Sequence, residues 1–333
     1  MVQQSGTGVA LTGCGSAIPA QVLSNHDLSQ VVDTSDEWIA DRTGIRQRRL
    51  ADPTTSLSQL AVTAAQSAIT MAGIQPIDID LIILATSSPD DLFGTAAKVQ
   101  AELGATRAAA FDLTAACSGF VFGLVNAAQF IRTGAYETVL LIGADMLSRW
   151  VDWDDRRTCV LFGDGAGAVV LQANEPDRLL GFELRSDGSL NRSLTLSAQP
   201  QPKVLTADVI AAQGSYQPIV MDGREVYRFA VQRVPEVIEK ALHRAGYSIG
   251  QVDWLLLHQA NQRILDAIAQ RLKIPTEKVI SNLANYGNTS AASIPLALDE
   301  AVRQGKIRPG DTIAASGFGA GLSWGATLFQ WGR

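Results

Sequence analysis

Ile79-Asp80-Leu81-Ile82-Ile83-Leu84 and, in the second half of the chain, Val252-Asp253-Trp254-Leu255-Leu256-Leu257 have the same build: an aspartate introduces a short apolar run. Such a run, bounded by turn residues, reads as a strand buried on both faces. The likeness continues downstream. The first run is followed by a strand entering Ala116-Cys117-Ser118-Gly119 and a helix, then by Glu137-Thr138-Val139-Leu140-Leu141, a Gly-rich turn at Gly163–Gly167 and a last strand. The second is followed by Tyr286-Gly287-Asn288-Thr289-Ser290 and a helix, then by Asp311-Thr312-Ile313-Ala314, a Gly-rich turn at Gly317–Gly321 and a last strand. The separations Asp80 to Asp253, Cys117 to Asn288 and Thr138 to Thr312 are nearly equal. Three such separations in one order predict an internal duplication of a β/α unit, residues 1–174 forming one half and 175–333 the other. Residue identity between the halves is low, so the pattern alone carries this reading.

The remaining pattern is that of an α/β protein. Val9–Thr12, Ala108–Leu113, Val139–Ile142, Ala168–Leu171, Val279–Ser281 and Thr312–Ala315 read as further strands. Leu57–Ala72, Gly94–Leu103, Ser118–Thr133, Val226–Ala245, Asn261–Leu272 and Ala291–Arg303 have helical periodicity. If the halves face each other across a pseudo-twofold axis, the strand-to-helix turns of Cys117 and Asn288 meet, and strand carboxyl ends are where α/β sheets bind ligands.

Composition narrows the class. The 333 residues are 47% hydrophobic and only 18% charged, enough for a large core and incompatible with a disordered chain. With 27 basic and 33 acidic residues the net charge is -6, which argues against a nucleic-acid binder. Cys14, Cys117 and Cys159 are an odd, widely spaced set that fits neither a disulfide framework nor a metal site and suits a reducing cytosol. No apolar stretch approaches the ~20 residues of a bilayer span, and Met1–Gly8 lacks the basic-then-apolar order of a signal peptide. A cytoplasmic protein without membrane insertion is expected.

Three residues at strand-to-helix turns could carry chemistry. Cys117 is predicted at a helix start, where unpaired N–H groups and the helix dipole stabilise a thiolate; a buried structural cysteine is the plainer alternative. His258 ends an apolar strand in Leu257-His258-Gln259-Ala260-Asn261, and a satisfied core histidine reads equally well. Asn288 precedes a helix and could be an N-cap. Together the three suit a thiolate nucleophile with donors aimed at a developing oxyanion. Gly13-Cys14-Gly15 lacks the third Rossmann glycine, Gly163–Gly167 precedes a strand rather than a helix, and no Walker lysine is present, so nucleotide cofactors fit poorly. Arginines cluster despite the acidic total, at Arg42, Arg46, Arg48 and Arg49, at Arg156 and Arg157, at Arg224 and Arg228, and at Arg263 and Arg271. A phosphate-bearing ligand or an acidic protein partner would account for that concentration, as would solvated faces.

Six motifs in order then bear a resemblance: Thr34-Ser35-Asp36-Glu37-Trp38-Ile39 with Arg42-Thr43-Gly44-Ile45-Arg46; Ala115–Phe120; Phe162–Gly167; His258-Gln259-Ala260-Asn261; Tyr286–Pro295; and Gly317-Phe318-Gly319-Ala320-Gly321. With these the chain resembles the β-ketoacyl-acyl-carrier-protein synthase III family over nearly its whole length. The resemblance implies a thiolase-like fold, with two duplicated β/α halves whose mixed sheets stack in an αβαβα arrangement. It also implies a decarboxylating Claisen condensation, in which Cys117 takes an acyl group, typically acetyl, from coenzyme A. Malonyl-acyl-carrier protein then loses CO2, and its enolate attacks the acyl-cysteine to give acetoacetyl-acyl-carrier protein.

By the same resemblance His258 and Asn288 donate to the malonyl thioester oxygen, and the backbone N–H groups of Cys117 and Ala320 form the other oxyanion site. Glycine is usual where Ala320 stands. Coenzyme A, a substrate rather than a resident cofactor, is expected at Thr34, Trp38, Arg42, Arg156, Ala260 and Asn261. Phe93, Leu147 and Phe162 are expected around the acyl pocket, Phe93 reaching across a homodimer. Arg224 and Tyr227 stand where the family has Asn and Phe. Arg228, Arg263 and Arg271 match the patch facing the acidic carrier protein, and no metal is implied. Elongating synthases (Cys-His-His), thiolases (a second catalytic cysteine) and chalcone-synthase-like enzymes (longer, without the Trp38–Arg46 segment) match less well. A Cys-His-Asn condensing enzyme of secondary metabolism is the alternative. A papain-like hydrolase and an inactive scaffold are the readings from other classes.

Overall fold

The computed structural model describes residues 7–333, so most of the Met1–Gly8 segment read for a signal lies outside the described residues. Ten strands build two five-stranded sheets. The first sheet holds β1 (Val9–Ala17), β2 (Leu81–Ala85), β3 (Ala109–Leu113), β4 (Thr138–Met146) and β5 (Asp164–Ala173), in the order β1-β5-β4-β2-β3. The second holds β6 (Leu179–Ser186), β7 (Trp254–Leu257), β8 (Val279–Ile280), β9 (Thr312–Gly319) and β10 (Ser323–Gln330), in the order β6-β10-β9-β7-β8. The two orders are the same, and so are the senses. The outer pairings β1/β5 and β6/β10 are antiparallel, as are β5/β4 and β10/β9, while the remaining two pairings of each sheet are parallel. The aspartates that opened the sequence comparison do one job twice. Asp80 accepts the N–H groups of Glu137 and Thr138 at 3.0 Å, and Asp253 accepts that of Thr312 at 2.9 Å, setting β4 beside β2 and β9 beside β7.

Helices make three layers around the sheets. Preceding them, α1 (Asp36–Thr43) packs near the rim. Helices α2 (Leu57–Ala72) and α3 (Ala96–Leu103) cover the outer face of the first sheet, burying Leu60, Ala64, Ala68 and Val99 against Ile82, Leu140 and Val170. The limits of α2 follow from local chemistry. Ser56 and Gln59 form a capping box at its start, and Gly73 ends it with φ +69°. The central helices α4 (Gly119–Arg132) and α7 (Ser293–Arg303) lie between the sheets, where Phe120, Leu124, Ile294 and Leu298 join Leu141, Val169 and Ile313 in one core. On the far side α5 (Gly223–Ala245) and α6 (Gln262–Leu272) cover the second sheet. The result is the αβαβα layering of the thiolase fold.

Two expectations change. The segments Gly163–Gly167 and Gly317–Gly321 are not simply turns, because Asp164–Gly167 begins β5 and Gly317–Gly319 ends β9. Their glycines serve close approach: a Cβ on Gly167 would sit 2.7 Å from the backbone nitrogen of Leu296, and one on Gly319 2.7 Å from that of Cys117. Strand β3 is an edge, and its residues are partly exposed rather than buried. No helix among the described residues is long and apolar enough to cross a membrane.

Candidate active site

Cys117 sits in a tight turn, Ala116–Ser118, between β3 and α4. Ala116 before it takes φ +48°, a conformation non-glycine residues seldom adopt, and the Ser118 hydroxyl donates to the Ala115 carbonyl at 2.6 Å. His258 follows β7 directly, its N–H donating to the Ser316 carbonyl at 2.8 Å. Asn288 reaches the first half through its backbone: its N–H donates to the Leu161 carbonyl at 2.8 Å, and its carbonyl accepts from Gly163 at 3.0 Å. These bonds bring Cys117, His258 and Asn288 to the wall of one narrow cavity of about 100 Å³, with Phe162, Phe318 and Gly319 beside them.

The side chains are oriented as well as gathered. The Ser293 hydroxyl lies 2.7 Å from Nδ1 of His258 and accepts the Gln259 N–H at 3.4 Å, leaving its proton to point at the imidazole. With the Ser293 hydroxyl donating to Nδ1, the histidine proton sits on Nε2. Phe318 holds the ring edge-on at 5.3 Å. The Asn288 Oδ1 accepts the N–H of Ser290 at 2.9 Å, an Asx bond two residues ahead rather than the N-cap of α7, which begins at Ser293. Its amide group remains as a donor.

Burial dominates the electrostatics. It pushes the Cys117 thiol up to about 12, against a smaller opposing pull from the Ser290 hydroxyl. It pushes His258 down to about 3. Burial therefore favours a thiol and a neutral imidazole in the resting pair and works against the thiolate expected from a helix start.

Outward from the triad, a basin of about 850 Å³ shares Leu161, Gly223, Tyr227 and Asn261 with the inner cavity. Its wall carries Arg42, Arg156, Arg157, Arg224, Arg228 and Arg263 and no carboxylate, in a chain of net charge -6. Trp38 stands among them, with the guanidinium of Arg42 4.5 Å and that of Arg156 5.2 Å from its ring centroid. Asn261 caps α6 through Oδ1 and donates from Nδ2 to the Arg42 carbonyl at 2.9 Å, tying α6 to α1 across the basin. Ala260 lines the inner cavity.

Other expected positions fall elsewhere. Thr34 does not form the basin wall, and its Oγ1 is buried without a partner. Of the acyl-pocket residues only Phe162 lines the cavity; Leu147 packs in the cluster with Val151 and Cys159, and Phe93 is fully exposed on the loop before α3. Arg271 stands off the basin, donating to the Val231 carbonyl at 3.1 Å. Ala320 is one residue past the cavity-lining Gly319 and is not among the positive-φ residues, so the backbone there accommodates its methyl group. Ser293 and Asp145 were not singled out by the sequence. Asp145 had a signal, being the only charge in the wholly buried strand Thr138–Met146.

A duplicated five-stranded α/β fold with Cys, His and Asn at the junction of its halves defines a thiolase-fold condensing enzyme. Two family models match, 3-oxoacyl-[acyl-carrier-protein] synthase III over residues 111–188 and the C-terminal part of the same family over residues 242–331. The β-ketoacyl-[acyl-carrier-protein] synthase III of Nostoc sp. is 72% identical over 326 residues, covering 98% of this chain and 99% of that protein. That of Acaryochloris marina is 68% identical over the full length of both. The crystal structure of 3-oxoacyl-[acyl-carrier-protein] synthase III from Aquifex aeolicus is similar with a TM-score of 0.90 at 45% identity, over 97% of this chain and 100% of that one. A priming β-ketosynthase from the R1128 polyketide pathway has a TM-score of 0.91 at only 34% identity, over 100% of this chain and 99% of that one. The chain belongs to the 3-oxoacyl-[acyl-carrier-protein] synthase III family.

Proposed function

We propose that the protein is an acyltransferase that starts fatty acid synthesis by condensing a short acyl-CoA, acetyl-CoA above all, with malonyl-acyl-carrier protein. The observation that carries this reading is the convergence of Cys117, His258 and Asn288 on one small cavity behind a basin whose charged lining residues are all arginines. In the first half-reaction the Cys117 sulfur attacks the thioester carbonyl. The carbonyl oxygen gains charge and is received by the N–H groups of Cys117 and Ala320. Collapse expels the coenzyme A thiolate, which takes the thiol proton and leaves as free coenzyme A.

In the second, the malonyl thioester oxygen lies against His258 Nε2–H and the Asn288 amide. The C–C bond to the carboxylate breaks, CO2 leaves, and the electron pair becomes an enolate held by those two donors. A neutral donor suits this step, and the depressed His258 supports it, since an imidazolium could surrender its proton and quench the enolate. The enolate carbon then attacks the acyl-cysteine carbonyl; collapse breaks the C–S bond, releases the β-ketoacyl product on the carrier and leaves the Cys117 thiolate, which takes a proton from solvent to restore the thiol.

Coenzyme A is assigned to Trp38, Arg42, Arg156, Ala260 and Asn261, with Thr34 beside them, and the carrier to Arg228, Arg263 and Arg271. The indole of Trp38, with the Arg42 and Arg156 guanidinium groups over its ring, supports adenine stacking there, and the arginines support phosphate binding. We also divide the chain at 174/175, between the last strand of one sheet and the first of the other. A homodimer is supported by the unpaired edge of β3, where Phe111 is exposed beside the protruding Leu92 and Phe93. Pairing there would let Phe93 serve the partner's acyl pocket. Three free cysteines fit a cytoplasmic setting. The test is incubation with radiolabelled acetyl-CoA followed by malonyl-acyl-carrier protein. A thiol-bound acetyl group that is chased into an acetoacetyl product is expected. Absence of the captured acetyl group would overturn the reading.

A further inference from the structure

We propose that Asp145 is a positioning residue for the condensation step: its carboxylate clamps the turn carrying Asn288 onto the end of β2 and so fixes the direction of the Asn288 amide. The inference rests on the assignment of Asn288 to the enolate given above.

Asp145 is fully buried near the end of β4, and its carboxylate meets donors from both halves. Oδ1 accepts the Thr86 hydroxyl at 3.2 Å, the Ser87 N–H at 2.8 Å and the Ser88 hydroxyl at 2.8 Å. Oδ2 accepts the N–H of Ala291 at 3.2 Å. The Ser88 oxygen in turn accepts the N–H of Met146 at 2.8 Å, so the carboxylate is held as firmly as it holds. Burial raises the Asp145 carboxyl above its ordinary value, and these donors pull against that.

The Ala291 bond matters because of its neighbour. Ser290 has φ +52°, a left-handed conformation that a side-chain-bearing residue keeps only when its surroundings enforce it. In that conformation the N–H of Ser290 points back to Oδ1 of Asn288, while the next N–H along the chain points to Asp145. The Asx bond decides which end of the Asn288 amide is occupied and which is left as a donor. Without the carboxylate, the Ala291 N–H loses its partner inside the protein, and the left-handed turn can relax and take the amide with it. Replacing Asp145 therefore loosens the donor needed for decarboxylation and spares acyl capture, which does not use the Asn288 amide.

The experiment compares Asp145→Asn, Asn288→Ala and the double variant in both half-reactions, with acetyl capture read by mass spectrometry and product formation by the carrier-bound β-ketoacyl group. Asp145→Asn should lower kcat for condensation by about 10–100-fold, the effect of leaving a buried donor unpaired, with KM for malonyl-acyl-carrier protein unchanged and acetyl capture undiminished. Because Asp145 acts through Asn288, adding Asp145→Asn to Asn288→Ala should cause no further loss. Losses that multiply in the double variant, or a parallel fall of both half-reactions, would overturn the proposal in favour of a purely structural carboxylate. Should Asn288→Ala itself leave condensation intact, the assignment beneath the proposal fails instead. If Asp145→Asn does not fold, Ser88→Ala, which removes one of the carboxylate's donors, should show a smaller loss confined to condensation; an unchanged rate would overturn the proposal.

Discussion

The two halves share strand order, strand sense and even the aspartate that sets β4 and β9 in register, yet they place opposite chemistry at equivalent ends. Where β2 ends in Ala85, its counterpart β7 is followed by His258. Where β4 carries the buried Asp145, β9 carries Gly319 at the corresponding position, and Cys117 of the first half packs against it. The proposed nucleophile comes from one half and the proposed donors from the other. A duplicated scaffold thus brings two helix-start turns face to face at no cost in architecture, and divergence at a few strand ends makes the pair chemically unlike. The comparison extends to the basin. The proposed coenzyme A contacts Trp38, Arg42 and Arg156 belong mainly to the first half, and the carrier contacts Arg228, Arg263 and Arg271 to the second.

The largest effect expected from breaking this asymmetry falls on the first half. Cys117→Ala should abolish acyl capture and condensation together, while Cys159→Ala, at a thiol buried away from the cavity, should leave both working. Mass spectrometry finding acetyl on the Cys117→Ala protein would refute the assignment. Next come the donors of the second half. His258→Ala or Asn288→Ala should leave acetyl capture nearly intact and lower condensation by about 10²–10³, the usual loss for one oxyanion donor. Equal losses in both half-reactions would erase the division between the halves.

How much of this was legible beforehand follows the same division between pattern and contact. Buried strands and the stripe of α2 announce themselves through periodicity, and the capping box of Ser56 and Gln59 marks its first residue. Cys117 and His258 stand out because each follows a strand, whereas Asn288 follows the short helix Leu283–Tyr286 and stands out only by its place before a helix. Contacts that depend on the other half leave no such trace. Gly167 and Gly319 look like turn glycines until a helix or a cysteine turn is packed against them. Leu147 does not line the cavity but packs in the cluster that also holds its wall residues Leu161 and Phe162, and Phe93 is exposed in the single chain. The resting thiol of Cys117 was hidden for the same reason: a sequence shows a helix start but not how completely the second sheet excludes water from it.

The neutral donor makes a prediction of its own. His258 titrates near its ordinary value in the unfolded chain and at about 3 in the folded protein, so between those values the unfolded state binds the extra proton. Stability should fall as pH drops from about 6.5 toward 3, by up to about 1.4 kcal/mol per pH unit from this group. Denaturant titrations of His258→Gln against the parent protein should show a shallower loss over that window. Identical slopes would mean that the histidine is not held neutral.

The smallest effect tests whether the basin is divided as the halves are. A protein of net charge -6 that binds an acidic carrier must confine attraction to a local patch, because the global fields repel. Exposed pairs at such a patch contribute only about 0.2–1 kcal/mol each, so their joint effect should appear in encounter rate and salt sensitivity. Arg263 is well placed for the test: it lines the basin, and its Nε donates to the Asp41 carbonyl at 2.9 Å, which holds the side chain at the junction of α1 and α6. Arg263→Glu adds repulsion as well as removing attraction and should raise KM for malonyl-acyl-carrier protein several-fold. Arg271→Glu, outside the basin, should do less. Acetyl capture, anchored at Trp38 between Arg42 and Arg156, should scarcely change in either variant. Titrating NaCl in both half-reactions sharpens the contrast, since the carrier-dependent step should weaken with salt more steeply in the parent than in Arg263→Glu. If the two half-reactions respond alike to salt and to Arg263→Glu, coenzyme A and the carrier share one undivided arginine surface, and the separation between the halves stops at the triad.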